Sequence, residues 1–270
     1  MTNNAEEKVS KFYNTAGWET AGEITEDARR WEDLREYARE YVEKCRLRVL
    51  RHIPESGENL LDMASGPIQY KEYLAYSRYF KRRYCVDLSS SALESAKKKI
   101  GDHGVFLQGS FFDIPLEENF FDCTVSLHTI YHIDKDKQEE AVRKLIMVTK
   151  PGKPVIIVYS NPNTIISSLR SSLPFRVIRK AKNILKKTVS EQDISLYFHP
   201  HPIAWWDRFH DVAHVQVLPW RSFSSDIQKR LIPNNKIGGI AFNLLFHLEE
   251  RFPDFFVKHF QYPMIILTKK

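Results

Sequence analysis

At residues 59–67 the chain reads Asn-Leu-Leu-Asp-Met-Ala-Ser-Gly-Pro, a short apolar run that passes directly into a turn of small residues. The apolar part predicts a buried strand, and the serine, glycine and proline predict a tight turn after it. Small side chains at such a turn let the backbone approach a ligand closely. The N-terminus of a helix that follows favours a negative group such as a carboxylate. The stretch therefore predicts a first strand followed by a ligand-binding loop.

The same alternation of apolar and amphipathic stretches continues along the chain. Four more strands are predicted for the apolar runs at 84–88, 105–107, 123–127 and 155–159. Helices are predicted at 68–80, at 91–100 behind the capping-box spacing of Ser91 and Glu94, and after a cap at Asp136. Unbroken apolar strands that alternate with amphipathic helices indicate a parallel sheet covered on both faces.

The remaining elements complete one α/β domain over residues 1–270. Short strands at 215–217 and 264–267 bring the total to seven, and helices are predicted at 27–51 and 203–210. The predicted fold class is α/β, with a Rossmann-like, mostly parallel seven-stranded sheet and helices on both faces. The predicted segments are an N-terminal helical cap at 1–55, a core at 56–160, and helical insertions after strands 5 and 6 at 161–199 and 219–260.

Charge and cysteine content limit the classes of partner. The formal net charge of +6 is spread along the chain, so it does not by itself indicate a nucleic-acid binder. The basic amphipathic stretch at 173–189 is a candidate for peripheral membrane contact, although a solvated cover helix explains it better. Three scattered cysteines predict neither disulfides nor a metal site and indicate a reduced, cytoplasmic protein. No apolar run reaches the length of a membrane span.

Polar and small residues end three consecutive predicted strands. The turn after Asp62 comes first, Asp87 ends the second strand 25 residues later, and Ser110 and Phe111 follow the third. Because the carboxyl ends of parallel strands meet at one edge of a sheet, these residues are expected to lie together. A carboxylate at Asp87 can accept hydrogen bonds from both hydroxyls of a ribose, and Leu88 beside it can pack on an adenine.

Four motifs in this order resemble those of class I S-adenosylmethionine-dependent methyltransferases. Residues 61–67 are similar to the glycine-rich first motif of that family, and Asp87 is similar to its acid after the second strand. Residues 121–132 and the Lys-Pro-Gly at 150–152 are similar to the fourth motif and to the segment that follows it. The subgroup that the chain most resembles is the ubiquinone/menaquinone-biosynthesis-like one, also called methyltransferase type 11.

The resemblance implies S-adenosylmethionine as the cofactor and assigns parts of it to the strand ends. In the family the methionine portion lies along the first loop and beside the end of the fourth strand, the ribose meets the acid after the second strand, and the N-terminal region forms a lid. Carried over to this chain, the implied cofactor-binding residues are Asp62, Ala64, Ser65, Gly66, Asp87, Leu88, Ser110, Phe111, Leu127, His128 and Tyr13.

The chain departs from the family pattern at several of these positions. Ala64 and Ile68 stand where the full pattern has glycines, and Ser110 stands where an acid is usual at the adenine edge. Ile68 leaves open a catalytically silent protein that keeps the fold as a binding module. A nicotinamide-dinucleotide site is disfavoured, because the turn lacks the G-x-G-x-x-G spacing.

The acceptor is the least determined part of the prediction. His132, just past the fourth strand, is the candidate catalytic residue, with His199 and His201 as further loop histidines. Methyl transfer depends mainly on positioning, so a base is needed only for an acceptor that arrives protonated. The sequence Ser-Leu-His-Thr at 126–129 lacks the signature of amino-methylating nucleic-acid enzymes. A small-molecule, sugar or lipid-like acceptor held by the two insertions is therefore favoured over nucleic acid, with O- or N-methylation and the oligomeric state left open.

Overall fold

The computed structural model describes Glu6, Val9, Tyr13, Thr20, Ala21, residues 24–171 and residues 197–270. Within these residues seven strands form one sheet, in the order β3-β2-β1-β4-β5-β7-β6. Their bounds are β1 Gly57–Met63, β2 Phe80–Asp87, β3 Gly104–Gln108, β4 Cys123–Leu127, β5 Pro154–Val158, β6 Ala213–Arg221 and β7 Tyr262–Lys269. The predicted mostly parallel, seven-stranded Rossmann-like sheet is confirmed. A separate hairpin pairs Thr20–Ala21 with Ile24–Thr25.

The strand directions bring the functional edge of the sheet together. Strands β1 to β5 are parallel, whereas β7 runs antiparallel to both β5 and β6. Because β7 opposes both of its neighbours, β6 points the same way as β5. The carboxyl ends of six strands and the start of β7 consequently share one edge of the sheet. The strand order changes direction between β1 and β4, and ligands bind at this position in such sheets.

Helices cover both faces of the sheet. The α-helices are α1 Glu26–Trp31, α2 Glu36–Leu47, α3 Lys71–Leu74, α4 Ser90–Ile100, α5 Gln138–Val148, α6 Ile165–Ser171, α7 Ser225–Leu231, α8 Lys236–Arg251 and α9 Pro253–His259. Short 3₁₀ turns occupy Arg48–Arg51, Ala75–Ser77, Gly101–His103, Ile130–His132 and Ile203–Asp211. One apolar cluster joins the sheet to α5 and the turn at Ile203–Asp211, and a second joins it to α2 and α8.

Several predicted helix bounds are wrong, each for a local reason. The predicted helix at 68–80 is reduced to α3 and one 3₁₀ turn, because Ile68 has a left-handed φ of 49° that no right-handed helix accommodates. The helix α4 is capped by Ser89, whose Oγ accepts from the N–H of Ala92 at 3.3 Å, and not by Ser91. The helix α5 begins at Gln138, two residues after Asp136, and the predicted helix at 203–210 is a 3₁₀ turn.

The cap and the second insertion form one layer. The predicted helix at 27–51 is divided into α1, α2 and a 3₁₀ turn, and α8 packs against α2. Tyr41 stacks on Phe242 with ring centroids 5.1 Å apart, and Arg48 Nη1 lies 2.8 Å from Glu249 Oε2. Since β6 continues to Arg221, the second insertion begins after that residue and not at 219.

Only one of the two predictions about membranes concerns residues that the structure describes. The stretch at 173–189 lies outside the described residues. No helix in the part of the chain that the structure describes is long and apolar enough to cross a bilayer.

Candidate cofactor and acceptor site

A cavity of about 810 Å³ opens along the carboxyl edge of the sheet. Its walls come from the loops after β1, β2, β3 and β4, from the end of β6 and the start of β7, and from the N-terminal cap. The sequence therefore brings the ends of distant strands and the cap to one space, because the parallel topology aligns those ends.

The loop after β1 keeps a left-handed backbone at all three glycine positions of the family pattern. Ala64, Gly66 and Ile68 have φ angles of 57°, 54° and 49°. This conformation is costly for residues with a Cβ, so two of the three positions carry strain. The N–H groups of Ala64 and Ser65 both donate to the Val86 carbonyl, at 2.8 and 3.2 Å, which ties the loop to β2. The substitutions predicted to alter this loop leave its backbone geometry in place.

Burial of the Ile68 side chain offsets part of that strain. Ile68 is only 1% exposed and packs with Cys85, Leu93 and Ala96 between the sheet and α4. Burying an isoleucine side chain contributes about 2 kcal/mol, comparable to the cost of a left-handed backbone. The side chain that breaks the glycine pattern thus serves the core.

Asp87 is fixed between this loop and α4. Its Oδ2 accepts from the N–H of Gly66 and its Oδ1 from the N–H of Ser89, both at 2.8 Å. Burial raises the pKa of this carboxyl to about 6, against the opposing effect of these backbone donors. Each oxygen keeps a second lone pair, so the group can still accept from a pair of ligand hydroxyls in the cavity. That arrangement fits a ribose.

Asp62 lines the cavity but is already engaged. Its Oδ2 accepts from Arg83 Nε at 3.1 Å and from Arg83 Nη2 at 2.5 Å, and both side chains are buried. Arg83 also donates from Nη1 to the Tyr73 carbonyl at 2.6 Å. The ion pair anchors β1 to β2 beneath the loop, which leaves Asp62 less free for a ligand than Asp87.

Of the two site residues predicted just after β3, one lines the cavity and the other does not. Phe111, like Leu88 after β2, lines the cavity. Ser110 does not; its hydroxyl donates to Glu6 Oε1 at 2.7 Å, and it is Glu6 that lines the wall there. An acid thus stands where the family has one, but it comes from 104 residues earlier in the chain, which no local pattern could reveal.

His128, just after β4, is a half-buried, neutral imidazole. It has a left-handed φ of 58°, and its Nδ1 lies 3.0 Å from the Tyr131 hydroxyl. Its ring packs edge-on against Trp220 and Tyr262, with centroids 4.6 and 5.3 Å away. Burial, followed by the nearby Arg221 guanidinium, holds its pKa well below the usual range. The neighbouring Leu127 also lines the cavity.

His132 lines the cavity and carries one unprotonated ring nitrogen. Its Nδ1 lies 2.6 Å from the Tyr197 carbonyl, so that nitrogen carries the proton and donates. Nε2 is left as a hydrogen-bond acceptor, and it has no hydrogen-bond partner among the described residues. Burial lowers the pKa of His132 to about 4, so the ring is neutral near pH 7.

The other loop histidines do not reach the cavity. His201 stacks on Trp205 with centroids 4.7 Å apart, and its Nε2 lies 3.3 Å from the Lys135 carbonyl. The backbone N–H of His199 donates to the Tyr131 carbonyl at 2.8 Å. Both residues hold the loop that carries Tyr197, and acceptor contact by them is not supported.

Residues of the N-terminal cap and of the end of β6 line a further part of the cavity. The hydroxyl of Tyr13, a predicted site residue, donates to Asp27 Oδ1 at 3.3 Å, and burial raises the pKa of Asp27 to about 6. Glu32 Oε2 lies 2.9 Å from Arg221 Nη1 and 3.3 Å from Arg46 Nη2. Arg221 lies 189 residues from Glu32 in sequence, so only the fold reveals this pairing.

The described part of the cavity wall is rich in carboxylates. Its acidic residues are Glu6, Asp27, Glu32, Asp62, Asp87 and Asp226. Its arginines are Arg30 and Arg221. No group of three or more His, Cys, Asp or Glu side chains within the described ranges is arranged to hold a metal ion. Asp62 and Glu32 are paired with Arg83 and Arg221, so the negative charge that is not balanced by an ion pair comes from the remaining carboxylates of this wall.

Comparison with known proteins gives the same assignment for the core. A family model described as a methyltransferase domain matches residues 61–157. An uncharacterized methyltransferase of Anoxybacillus flavithermus (strain DSM 21510 / WK1) is 27% identical over 104 residues, which are 38% of this chain and 48% of that protein. The chain thus matches about half the length of this curated relative.

Two solved structures resemble the whole chain in fold. Geranyl diphosphate C-methyltransferase from Streptomyces coelicolor A3(2) aligns with a TM-score of 0.56 at 14% identity and covers 100% of both chains. The N-methyltransferase NodS from Bradyrhizobium japonicum WM9, solved with S-adenosyl-l-homocysteine, aligns with a TM-score of 0.55 at 11% identity and covers 99% of both. They confirm the predicted fold, and the family match assigns a methyltransferase domain to residues 61–157.

Proposed function

We propose that the whole chain is an S-adenosylmethionine-dependent methyltransferase that acts on a small acceptor at oxygen or nitrogen. The observation that carries this proposal is that Asp87 and His132 line the same cavity. A cofactor placed on Asp87 and the loop after β1 would direct its reactive end toward the end of β4. His132 lies there, with a nitrogen suited to hold an acceptor proton.

Within this proposal the cofactor is held by residues of the strand ends. Asp87 binds the ribose hydroxyls, the backbone of Ala64, Ser65 and Gly66 borders the methionine portion, and Leu88 and Phe111 enclose the adenine. Leu127 and the backbone of His128 lie on the methionine side, and Tyr13 covers the cavity from the cap. Glu6 takes the place at the adenine edge that the sequence assigned to Ser110, which supports it through their hydrogen bond.

The residues of the chain contribute positioning more than proton transfer. Bound S-adenosylmethionine supplies a methyl group on a positively charged sulfur, a leaving group that needs no further activation. His132 accepts a hydrogen bond from the hydroxyl or amine of the acceptor and holds that atom in line. A pKa of about 4 makes His132 a weak base, which favours alignment over removal of the proton.

The charge of the wall narrows the acceptor class. Glu32 is already paired with Arg221 and Arg46. A phosphorylated acceptor would meet the negative charge of Asp27 and Asp226, so a neutral or amine-bearing acceptor is favoured. A diphosphate such as the geranyl diphosphate of the Streptomyces coelicolor enzyme fits this wall poorly, and a sugar, a small amine or an uncharged lipid-like molecule fits it better. The ubiquinone/menaquinone-like subgroup and the cytoplasmic location stay predictions.

The acidic wall argues against a nucleic-acid methyltransferase, and the loop after β1 argues against a catalytically silent module. Nucleic acid carries phosphates that the acidic wall would repel. The silent-module hypothesis depended on Ile68, and Ile68 adopts the backbone conformation that the glycine pattern requires. An active enzyme with a small acceptor therefore agrees best with the geometry.

Calorimetric titration with S-adenosylhomocysteine, followed by a product assay, tests the proposal. We expect micromolar binding of this product and formation of S-adenosylhomocysteine from S-adenosylmethionine with a neutral or amine acceptor. Each acceptor in the panel should be paired with its phosphorylated form, which we expect to react more slowly. Absence of cofactor binding would contradict the proposal, and binding with no turnover on any acceptor class would favour the silent module.

A further inference from the structure

The helix α8 is apolar on two opposite faces. One face packs against α2, where Phe242 is buried against Tyr41. The other face carries four large aliphatic side chains that are 71%, 69%, 58% and 37% exposed, respectively Ile237, Ile240, Leu244 and Leu248. An ordinary surface helix has one apolar face, so the second one needs a separate explanation.

The four exposed side chains form one continuous stripe. Their spacing of three or four residues places them on a single side of the helix, over a length of about 16 Å. Phe252 and Phe255 are exposed just after the stripe, and Leu231 is exposed just before it. Soluble proteins rarely leave a contiguous apolar surface of this kind uncovered unless it is an interaction site.

Exposed cations outnumber exposed carboxylates on the helices α7, α8 and α9. The exposed cations of α7, α8 and α9 are Lys229, Arg230, Lys236, Arg251 and Lys258. The exposed carboxylates of the same helices are Asp226, Glu250 and Asp254. Glu250 is already engaged by Arg48 at 2.8 Å and by Arg51 at 2.6 Å. An apolar stripe on helices with an excess of exposed cations is the kind of surface that an anionic lipid bilayer attracts.

We propose that the face formed by α7, α8 and α9 binds the surface of an anionic lipid bilayer, with the stripe of α8 inserted among the headgroups. A symmetric dimer through this face would bring the same five cations of two copies together, which disfavours a second copy as the occupant. This contact lies apart from the stretch at 173–189. It also does not depend on the methyltransferase proposal.

The proposed contact would place the cavity near the lipid. Ser225 and Asp226, in the first turn of α7, line the cavity, and Leu231 at the other end of α7 belongs to the exposed apolar surface. A lipid-like acceptor would then have a short path from the bilayer to the cavity mouth.

Vesicle co-sedimentation of the full chain, without cofactor or acceptor, tests the contact. We expect binding to vesicles of equal parts phosphatidylcholine and phosphatidylglycerol, and much weaker binding to phosphatidylcholine alone. Replacing Ile240 and Leu244 together by Ser should lower the affinity by about tenfold or more, because the inserted apolar area is lost. Replacing Lys229 and Arg230 by Gln should weaken binding to the anionic vesicles selectively.

The matched control is Tyr79→Ser. Tyr79 is 65% exposed, within the range of the stripe residues, and it lies just before β2 at the amino-terminal edge of the sheet. This control should bind vesicles as the parent does, and all variants should keep the parent melting temperature because the altered side chains are exposed. Equal loss in the control, or no binding to anionic vesicles, would overturn the proposal. So would a dimer in sedimentation velocity that dissociates in the Ile240/Leu244 variant. Cofactor titration on the same samples distinguishes failure of the membrane proposal from failure of the methyltransferase proposal.

Discussion

The two halves of the cavity are built in different ways. On the cofactor side the contacts of Asp87 are made by backbone N–H groups: it accepts from Ser89 two residues later and from Gly66 in the loop after β1. On the acceptor side the contacts join distant parts of the chain, as Glu32 and Arg221 do. The first half depends on backbone conformation, and the second depends on side chains delivered by the cap and the last strands. A rigid backbone site would suit a cofactor that is always the same, and a side-chain wall would suit an acceptor that varies between related enzymes.

The acceptor side also contains most of the buried charge around the cavity. Glu32, Arg46, Glu72 and Arg221 form a chain of ion pairs, at 3.3 Å and 3.5 Å around Arg46 and 2.9 Å at Arg221. Buried ion pairs contribute little net stability because desolvation offsets their attraction, but they are costly to break singly. Their effect here is to fix the position of the wall that faces the acceptor.

The largest effect that separates the two halves is expected for His132→Ala. We expect turnover to fall by about 100-fold or more, because the acceptor loses the group that aligns it, whereas cofactor affinity stays unchanged. His132→Gln keeps a hydrogen-bonding side chain and should restore much of the rate if alignment is the role. Steady-state kinetics and calorimetry on the same preparations measure both quantities.

The matched control for this variant is His201→Ala, since His201 stacks on Trp205 and does not line the cavity. That variant should keep the parent rate to within a few-fold. A full rate in His132→Ala would make His132 structural. The contribution of His132 to the rate should be constant above about pH 5, because its pKa of about 4 leaves it neutral there.

A smaller effect, confined to the cofactor side, is expected for Asp87→Ala. Loss of two hydrogen bonds to the carboxylate should weaken S-adenosylhomocysteine binding by about tenfold or more, equivalent to ~1.4 kcal/mol. Calorimetric titration measures this affinity directly. Unchanged affinity would contradict the assignment of the ribose to Asp87.

The same carboxylate predicts how cofactor binding depends on pH. Burial raises the pKa of Asp87 from its usual 3.8 to about 6, so the free protein carries a proton there below pH 6. Hydroxyl donors need the ionised form, so affinity should rise with pH up to about 6 and be constant above about 7. Below pH 6 the dissociation constant should increase by about tenfold per pH unit. Asp27 also titrates near 6, and Asp27→Asn should keep this dependence if Asp87 is its source.

The cofactor side was largely predictable from the sequence, and particular residues show why. Asp87, Leu88 and Phe111 follow apolar runs whose strand assignment fixes where their ends lie. Ile68 shows the limit, because the sequence indicated a disturbed loop while burial against Cys85 stabilises the regular one. The helix predicted from Ile68 was wrong for the same reason, since periodicity does not report a left-handed residue.

The acceptor side was not predictable, because its contacts depend on tertiary structure. Nothing local marks Arg221 as the partner of Glu32. One contact on the cofactor side, between Glu6 and Ser110, was hidden from the sequence for the same reason. The neutral state of His128 likewise arises from burial against Trp220, which comes from β6. Local patterns place strand ends, but they do not pair side chains over such distances.

A still smaller effect is expected for Glu6→Gln, which tests whether the cap takes part in cofactor binding. Removing the charge at the adenine edge should weaken S-adenosylhomocysteine binding by about two- to fivefold, the range of one hydrogen bond of ordinary strength. Ser110→Ala should have a similar effect, and the double variant should be no worse than either single one if they act together. Additive losses in calorimetry would contradict a joint role.

The smallest effect is expected for Ala64→Gly, which concerns the loop and not the ligand. Ala64 has a φ of 57°, a conformation in which a Cβ costs about 1 kcal/mol and glycine is unstrained. Glycine also gives the unfolded chain more freedom, which costs between about 0.4 and 1 kcal/mol. The two effects nearly cancel, so the free energy of unfolding should change by less than about 1 kcal/mol. Because the loop already has the left-handed backbone that glycine favours, binding should be unchanged, and chemical denaturation with calorimetric titration measures both. A large gain in affinity would show instead that alanine distorts the loop, and that the cofactor side is not as regular as its dihedral angles indicate.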